Sequence, residues 1–320
     1  MTATPPVMRI FDEQATRDAL PFETLIESLR SMFRAGCTVP ERHVHHIESA
    51  TAQGTSLIMP AWNERYFGVK VVNVFAGNAA AKRPSLHSTY QLFDACTGAP
   101  IAQMDGNVIT SRRTAATSAL AASYLAAKES KRLLIVGSGR VASLLAEAYR
   151  EVFELEKVAV WNRDASGAAA LVQRLRIQGF HAVEANNLAE AASDADIVSC
   201  ATLATEPLVR GVWLREGSHL DLIGSFTPQM READDDAIRN ACLFIDTEEA
   251  AKKSGDLLAP LASGRLVNAD IAGTLSDLCS GKELKQVRPR ARTVFKSVGT
   301  ALEDLSAAIQ VFESSESSGY

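Results

Sequence analysis

The stretch LLIVGSGRVASLLAEAYR, residues Leu133–Arg150, decides the fold of this chain. Its apolar start predicts a strand, and the apolar spacing that follows predicts a helix. The turn between them reads Gly-x-Gly-x-x-Ala. Gly137 permits a tight turn, Gly139 lets the backbone approach a pyrophosphate, and Ala142 keeps the helix close to the strand. Because a helix N-terminus attracts negative charge, the stretch predicts a dinucleotide site. The alternative is a plain strand–helix turn.

Short apolar runs continue this pattern towards the C-terminus. They are KVAVWNR (157–163), DIVSCAT (196–202), HLDLIGSF (219–226) and CLFID (242–246), and helical stretches separate them. Such alternation is typical of a doubly wound parallel sheet with helices on both faces. We therefore predict an α/β fold of the Rossmann type for this part of the chain.

The end of the second predicted strand bears on the choice of cofactor. Sites that prefer NAD usually place an acidic residue there to hold the ribose hydroxyls. This chain has Asn162 and Arg163 instead, and a guanidinium pairs well with a 2′-phosphate. We predict NADPH as the preferred cofactor. NADH stays the alternative, because Asp164 would repel that phosphate and Arg163 would otherwise be a solvated loop residue.

The residues before this sheet predict an α+β arrangement. A helix is indicated in PFETLIESLRSMFRAG (21–36), strands in TSLIMPAW (55–62) and YFGVKVVNVF (66–75), and a hairpin in STYQLFDACTGAPIAQMDG (88–106). An alanine-rich helix, apolar nearly all round, is predicted from Thr114 to about Lys128. Apolar spacing predicts a last helix from Thr293 to Phe312.

Three basic residues of the first part indicate an anion site. Lys70 lies inside an apolar strand, where an unpaired charge is costly, and Arg113 opens the predicted alanine-rich helix, where it opposes the helix dipole. Arg42 follows the first helix. A carboxylate ligand would compensate these charges, although each residue taken singly is more often structural. His43, His45 and His46 alternate as on a strand, and no carboxylate or Cys cluster accompanies them, so we predict no metal.

Composition narrows the class of protein. The chain has 320 residues and a net charge of −5, and it has no basic block, so we expect no nucleic-acid partner. No apolar run approaches the length of a membrane span, and the N-terminus lacks a signal pattern. The cysteines are scattered and never form CxxC. We expect a cytoplasmic protein that acts on a small molecule.

Several separate motifs carry a resemblance to one family. They are MDGNVITSRRTAATSALAASYLA (104–126), the glycine turn, the Asn-Arg strand end and FKSVGTALED (295–304). In this order they resemble the ornithine cyclodeaminase/mu-crystallin family, most closely its Δ1-pyrroline-2-carboxylate (ketimine) reductases. The resemblance implies a homodimer. It also implies a substrate-binding and dimerisation domain of residues 1–118, completed by a helix at 293–320, around a Rossmann domain of residues 119–292.

The resemblance also implies the site residues. Arg42, Lys70 and Arg113 match the positions that hold the substrate carboxylate. Independently of the resemblance, the proton that an imine reductase needs suggests that Lys70 either holds the carboxylate or relays a proton, with Ser56 as a candidate further relay. The positions that hold the dinucleotide are Ser88, Thr89, Arg113, Thr114, Gly137, Ser138, Gly139, Arg140, Val141, Asn162, Arg163, Ala201, Thr202 and Ser297.

One residue departs from the cyclodeaminase pattern. Ornithine cyclodeaminases carry an Asp in the loop after the strand HLDLIG, where this chain has Phe226. Phenylalanine neither accepts a proton nor directs attack on an imine. Phe226 is therefore expected to form an apolar wall for the substrate ring, or to pack as an ordinary loop residue.

The expected reaction is reduction of a cyclic imino acid in proline metabolism. The best candidates are Δ1-pyrroline-2-carboxylate, giving L-proline, and Δ1-piperideine-2-carboxylate, giving L-pipecolate. Alternatives are an ornithine cyclodeaminase, an alanine dehydrogenase or opine-type amino-acid dehydrogenase, and a mu-crystallin-like binding protein without catalysis.

Overall fold

The computed structural model describes residues 8–49, 52–81, 83–239, 241–282 and 291–317. The chain divides into two compact units, residues 1–113 with 300–320 and residues 114–299. The sequence-based boundary between residues 118 and 119 lies inside a helix, Gly106–Leu125, and the structural division follows Arg113 in that same helix. Among the described residues, no helix is long and apolar enough to cross a membrane.

The first unit is built on a six-stranded sheet. Its strands are β1 (Arg9–Phe11), β2 (His43–Glu48), β3 (Gln53–Trp62), β4 (Tyr66–Val74), β5 (Leu86–Asp94) and β6 (Pro100–Asp105). Their order is β1-β6-β5-β4-β3-β2, with β1 parallel to β6 and the other pairs antiparallel. Alternation along β4 puts Lys70 on the buried face of this sheet.

Three α-helices precede the second unit's sheet in the described part of the chain. They are α1 (Glu13–Asp18), α2 (Phe22–Ala35) and α3 (Gly106–Leu125). Helix α3 begins before the predicted Thr114, and the Asp105 carboxylate caps it by accepting the Val108 N–H at 2.8 Å. Arg113 therefore lies inside the helix. The prediction that Arg113 opens the helix and opposes its dipole was wrong.

The second unit is a parallel sheet between helices. Its strands are β7 (Arg132–Val136), β8 (Lys157–Trp161), β9 (Ala182–Glu184), β10 (Ile197–Cys200), β11 (His219–Leu222), β12 (Cys242–Ile245), β13 (Ile271–Thr274) and β14 (Thr293–Lys296). Its helices are α4 (Ala142–Arg150), α5 (Ala165–Ile177), α6 (Leu188–Asp194), α7 (Asp235–Ile238), α8 (Glu249–Lys253), α9 (Gly255–Ala262) and α10 (Leu275–Cys279).

The strand order of this sheet is β13-β12-β14-β11-β10-β7-β8-β9, and all its pairs are parallel. From β9 towards β11 the order follows the doubly wound pattern, in which the first strand, β7, lies inside the sheet. The predicted Rossmann α/β fold is confirmed.

The residues after the second unit's α10 correct one prediction. Thr293–Lys296 form β14, a buried strand between β11 and β12, and not the start of the last helix. Thr293, Val294 and Phe295 are β-branched or aromatic and favour a strand in a buried sheet. The last helix, α11 (Ala301–Ser317), starts only after Gly299, which has a φ of 76°. It belongs to the first unit and contacts α2, β3, β4 and β5.

Candidate functional site

A candidate dinucleotide site lies in the second unit, at the turn between β7 and α4. Gly137 has a φ of 117°, and its N–H donates to the Trp161 carbonyl at 2.8 Å. A Cβ at this position would lie 2.6 Å from the Ala201 carbonyl oxygen, so only glycine fits. A Cβ at Gly139 would meet no described atom within 4 Å. The backbone at Gly139 is therefore open to a phosphate, as the glycine pattern predicts.

The end of β8 carries the residues predicted to select the cofactor. Arg163 is exposed, and the Asn162 side-chain amide donates to the Asp164 carbonyl at 2.9 Å. The Asp164 carboxylate caps α5 and accepts the Ser166 N–H at 3.1 Å. Asp164 was expected to repel a 2′-phosphate. Its carboxylate instead caps the N-terminus of α5, and the positive end of the helix dipole offsets part of its negative charge.

Two further residues predicted to hold the cofactor already have partners in the second unit. The N–H and hydroxyl of Thr202 both donate to Glu232 Oε1, at 2.7 and 2.9 Å. The Ser297 hydroxyl donates to Asp246 at 2.9 Å. The Ala201 carbonyl oxygen occupies the space that a Cβ at Gly137 would need. Thr202 and Ser297 therefore have their side-chain donors committed to carboxylates of the protein.

The remaining residues predicted to hold the cofactor fall in both units. Ser138, Arg140 and Val141 complete the glycine turn, and Thr114 lies in α3. Ser88 and Thr89 lie in β5 of the first unit, opposite Val72 and Val71. Alternation puts the buried Ser88 on the same face of the sheet as Lys70 and the exposed Thr89 on the other face.

The predicted substrate residues Lys70 and Arg113 lie in the first unit, in a buried cluster of four charges. Lys70 of β4 and Arg113 of α3 face Glu303 and Asp304 of α11, and all four side chains are almost fully buried. Lys70 Nζ lies 2.6 Å from Asp304 Oδ2 and donates to Thr110 Oγ1 at 3.2 Å. Arg113 Nε lies 3.0 Å from Asp304 Oδ1, and Arg113 Nη1 pairs with Glu303 Oε2.

Burial and pairing act in opposite directions on these groups. Burial lowers the pKa of Lys70 to about 8, although Asp304 raises it. Burial alone would raise the pKa of Asp304, but Lys70 and Arg113 lower it below its ordinary value. Asp304 therefore stays ionised, and Lys70 changes its protonation state around pH 8. This makes Lys70 a suitable proton donor.

The anionic partners in this cluster were missed by the sequence reasoning. Lys70 was expected to need an anion, and the anion was assigned to a substrate carboxylate, whereas Asp304 and Glu303 supply it from the chain itself. Both acids end the motif FKSVGTALED, so the motif was noticed but its charges were not used. The cluster is electrically neutral. Binding of a substrate carboxylate would give this neutral cluster one net negative charge.

Three residues predicted to bind substrate lie outside the cluster. Arg42 is partly exposed and comes just before β2. Ser56 of β3 pairs with Asn73 of β4, whereas Lys70 pairs with Met59. The alternation of β3 puts Ser56 on the opposite face of the sheet from Lys70, so a direct relay between Ser56 and Lys70 is not supported. Phe226 follows β11 in the second unit and is 44% exposed.

Within the described ranges, no group of three or more His, Cys, Asp or Glu side chains is arranged to hold a metal ion. His43, His45 and His46 lie on the exposed strand β2.

Comparison with known proteins gives consistent matches over nearly the whole chain. A model of the ornithine cyclodeaminase/mu-crystallin family matches residues 13–319. A Δ1-pyrroline-2-carboxylate reductase from Paracoccus denitrificans is 38% identical over 305 residues, which cover 90% of this chain and 91% of that protein.

Two solved structures are similar in fold over nearly the whole chain. The structure of Thermococcus litoralis Δ1-pyrroline-2-carboxylate reductase in complex with NADH and L-proline has a TM-score of 0.90 and 31% identity, and the match covers 98% of both chains. An archaeal alanine dehydrogenase dimer with bound NAD has a TM-score of 0.89 and 26% identity over 98% of this chain and 97% of that one.

Proposed function

The chain belongs to the ornithine cyclodeaminase/mu-crystallin family, and from that premise we propose that it is a nicotinamide-dependent reductase of cyclic imino acids. The predicted family is confirmed. The substrates are Δ1-pyrroline-2-carboxylate, which is reduced to L-proline, and Δ1-piperideine-2-carboxylate, which is reduced to L-pipecolate. A pyrroline-2-carboxylate reductase with bound NADH and L-proline shares this fold at 31% identity.

Phe226 is the observation that carries this proposal. Deamination of ornithine needs a group in this loop that accepts a proton from the amine. The loop from Ser225 to Arg231 contains no acidic residue, and Phe226 exposes an apolar ring there. The next acid, Glu232, is fully buried and accepts hydrogen bonds from Thr202 and Gly224, so it does not substitute. Reduction of an imine needs no such base.

The reaction requires a hydride on C2 of the imine and a proton on its nitrogen. The reduced nicotinamide supplies the hydride when the cofactor is bound. Lys70 supplies or holds the proton, because its ammonium has three N–H donors and the contacts with Thr110 and Asp304 use two. Arg113 and Arg42 orient the substrate carboxylate. Orientation of this kind contributes roughly 7–11 kcal/mol to lowering a barrier.

NADPH is the proposed cofactor over NADH. Arg163 is exposed at the end of β8, and Asp164 is occupied as the cap of α5. Both features favour a 2′-phosphate beside the guanidinium. Values of kcat/KM measured with NADPH and with NADH test this choice. Equal values, or higher values with NADH, contradict it.

A homodimer in the cytoplasm is proposed for the working enzyme. Strand β2 is an edge of its sheet, and all six of its residues are exposed, including the apolar Val44 and Ile47. Natural sheets rarely leave such an edge uncovered. Light scattering on the purified protein gives the oligomeric state, and a Val44→Glu variant is expected to shift it towards monomer.

Oxidation of NADPH in the presence of each cyclic imine at mildly acidic pH tests the reaction. Lys70→Met is expected to lose most of kcat/KM. Lys252→Met, at an exposed lysine of α8, is the matched control and is expected to retain it. Absence of turnover with both imines contradicts the proposal. Ammonia-dependent oxidation of NADPH with a 2-oxo acid favours an amino-acid dehydrogenase, and formation of proline and ammonia from ornithine favours a cyclodeaminase.

A further inference from the structure

We propose that Glu232 is a positioning residue for hydride transfer, because its carboxylate ties the loop after β10 to the loop after β11. The kinetic consequence rests on the proposed function, whereas the tie itself does not. Glu232 is fully buried in the second unit. It follows Phe226 in the sequence, and no part of the sequence reasoning gave it a role.

One carboxylate accepts four hydrogen bonds from two separate loops. Glu232 Oε1 accepts the Thr202 N–H at 2.7 Å and the Thr202 hydroxyl at 2.9 Å. Glu232 Oε2 accepts the N–H of Gly224 at 2.7 Å and the N–H of Ser225 at 3.2 Å. Both loops begin at the carboxyl ends of parallel strands, β10 and β11, and open α/β sheets bind their ligands at these ends. Ala201 and Thr202 belong to the proposed cofactor site, and Phe226 to the proposed substrate site.

The two loops approach so closely that nothing else fits between them. A Cβ at Gly224 would overlap both the Thr202 carbonyl oxygen and Glu232 Oε1. Ser225 is held from its other side, because its hydroxyl donates to the Met230 carbonyl at 2.6 Å and lies 2.9 Å from the Ser254 hydroxyl. The backbone just before Phe226 is therefore fixed by Glu232 and by Ser254.

Charged and titratable groups face Glu232 from three elements. Asp256 of α9 accepts the backbone N–H of Glu232 at 2.8 Å, and Lys296 of β14 lies 3.5 Å from Asp256 Oδ2. Lys296 also donates to the Leu222 carbonyl at 2.8 Å. The buried thiol of Cys200, at the end of β10, is the third group, and Glu232 contributes to the raised pKa of that thiol.

The tie depends on the ionised carboxylate. A protonated carboxyl group presents a hydrogen to one of the loops, whereas the carboxylate presents acceptors to all four donors. Burial raises the pKa of Glu232 to about 7, with Lys296 lowering it and Asp256 raising it. The tie is therefore expected to tighten as the pH rises from 6 to 8.

Glu232→Gln keeps the shape of the side chain but turns an NH₂ group towards one set of donors. We expect kcat/KM with imine to fall roughly 10- to 100-fold at pH 8, since small displacements near the reacting atoms are costly. The ratio of wild-type to variant kcat/KM removes the titration of the substrate. This ratio should rise roughly tenfold between pH 6 and pH 8 if ionisation of Glu232 matters.

Asp221→Asn is the matched control. Asp221 is another fully buried acid of the second unit, and its carboxylate accepts from the hydroxyls of Tyr149 in α4 and Ser199 in β10, neither of which belongs to the two loops. Burial raises its pKa to about 6. We expect the ratio of wild-type to Asp221→Asn activity to stay constant with pH. A constant ratio for Glu232→Gln as well contradicts the proposal, because a merely structural acid behaves in that way.

Amide hydrogen exchange of the wild-type protein tests the tie without any variant. After correction for intrinsic exchange, protection of the Thr202, Gly224 and Ser225 amides should increase as the pH rises through about 7. The neighbouring Ile223 amide donates to the Cys200 carbonyl at 3.0 Å and is the internal control, with unchanged protection. Unchanged protection at all three amides overturns the proposal. This result is independent of whether any imine is reduced.

Discussion

Removal of the Asp304 carboxylate is the sharpest test of the buried charge cluster. In Asp304→Asn, Lys70 Nζ loses its partner at 2.6 Å and Arg113 Nε loses its charged acceptor at 3.0 Å. The neutral cluster becomes a net cation with only Glu303 to offset it. Breaking a buried ion pair by removing one partner costs about 3–5 kcal/mol. That is a large part of the roughly 5–15 kcal/mol by which proteins are usually stable.

The same substitution changes the pH dependence of activity. Lys70 has a pKa of about 8, and Asp304 is the largest influence that raises it. Without Asp304 the pKa of Lys70 falls further, so the ammonium loses its proton at a lower pH. Activity that needs protonated Lys70 declines as the pH rises through this pKa. The alkaline limb of kcat/KM is therefore expected to move towards lower pH in the variant.

Chemical denaturation and a pH profile of kcat/KM measure the two effects. Glu313→Gln on the same helix is the control, because Glu313 pairs with Arg65 at 3.2 Å on the surface, where both side chains are substantially exposed. Exposed pairs are worth between 0 and about 1 kcal/mol. Equal stability losses in the two variants would refute the account of the cluster. An alkaline limb that stays in place would remove Lys70 as the proton donor.

Four other substitutions test the predicted cofactor residues and the predicted substrate residue Phe226 separately. Gly137→Ala should lose both thermal stability and cofactor affinity, because its φ is positive and a Cβ meets Ala201. Gly139→Ala should lose cofactor affinity but keep its thermal stability, since a Cβ there meets no described atom. Melting curves measure the stability of both variants, and fluorescence titration with NADPH measures their cofactor affinity. Equal melting temperatures for Gly137→Ala and Gly139→Ala contradict this distinction. Arg163→Ala should lower kcat/KM with NADPH at least tenfold more than with NADH, and a parallel loss with both cofactors contradicts a contact with the 2′-phosphate. Phe226→Ala should raise KM for the imine while the melting temperature changes little, because the ring is 44% exposed; an unchanged KM leaves Phe226 as a packing residue.

Local pattern was sufficient to predict five strands of the second unit, β7, β8, β10, β11 and β12, but it missed β9, β13 and β14. The turn at Gly137 and Gly139 needs residues that are adjacent in the sequence, and the parallel strands follow from short apolar runs between helices. The apolar spacing after Thr293 misled the prediction of a helix. A buried strand and a buried helix segment look alike in periodicity when they are short, and only pairing with β11 and β12 decides between them.

Contacts between residues that are far apart in the sequence could not be predicted from local sequence patterns. The apolar strand around Lys70 predicted that its charge needs an anionic partner. The sequence near Lys70 did not identify Asp304 as that partner. Glu232 resembled an ordinary loop acid, because its four donors come from Thr202, Gly224 and Ser225. For Lys70 the sequence predicted the burial of the charge but not its partner, whereas for Glu232 it predicted neither.

The position of Glu303 and Asp304 on the last helix has a consequence for biosynthesis. At translation rates of about 5–20 residues per second, Lys70 and Arg113 leave the ribosome roughly 10–50 seconds before the acids that pair with them. The first unit would have to bury both cations without a counter-charge to fold in that interval, which is costly. We expect the second unit to fold before the first on the nascent chain, which reverses the usual N-terminal-first order. We also expect the first unit to need chaperones that shield it until α11 has been synthesised.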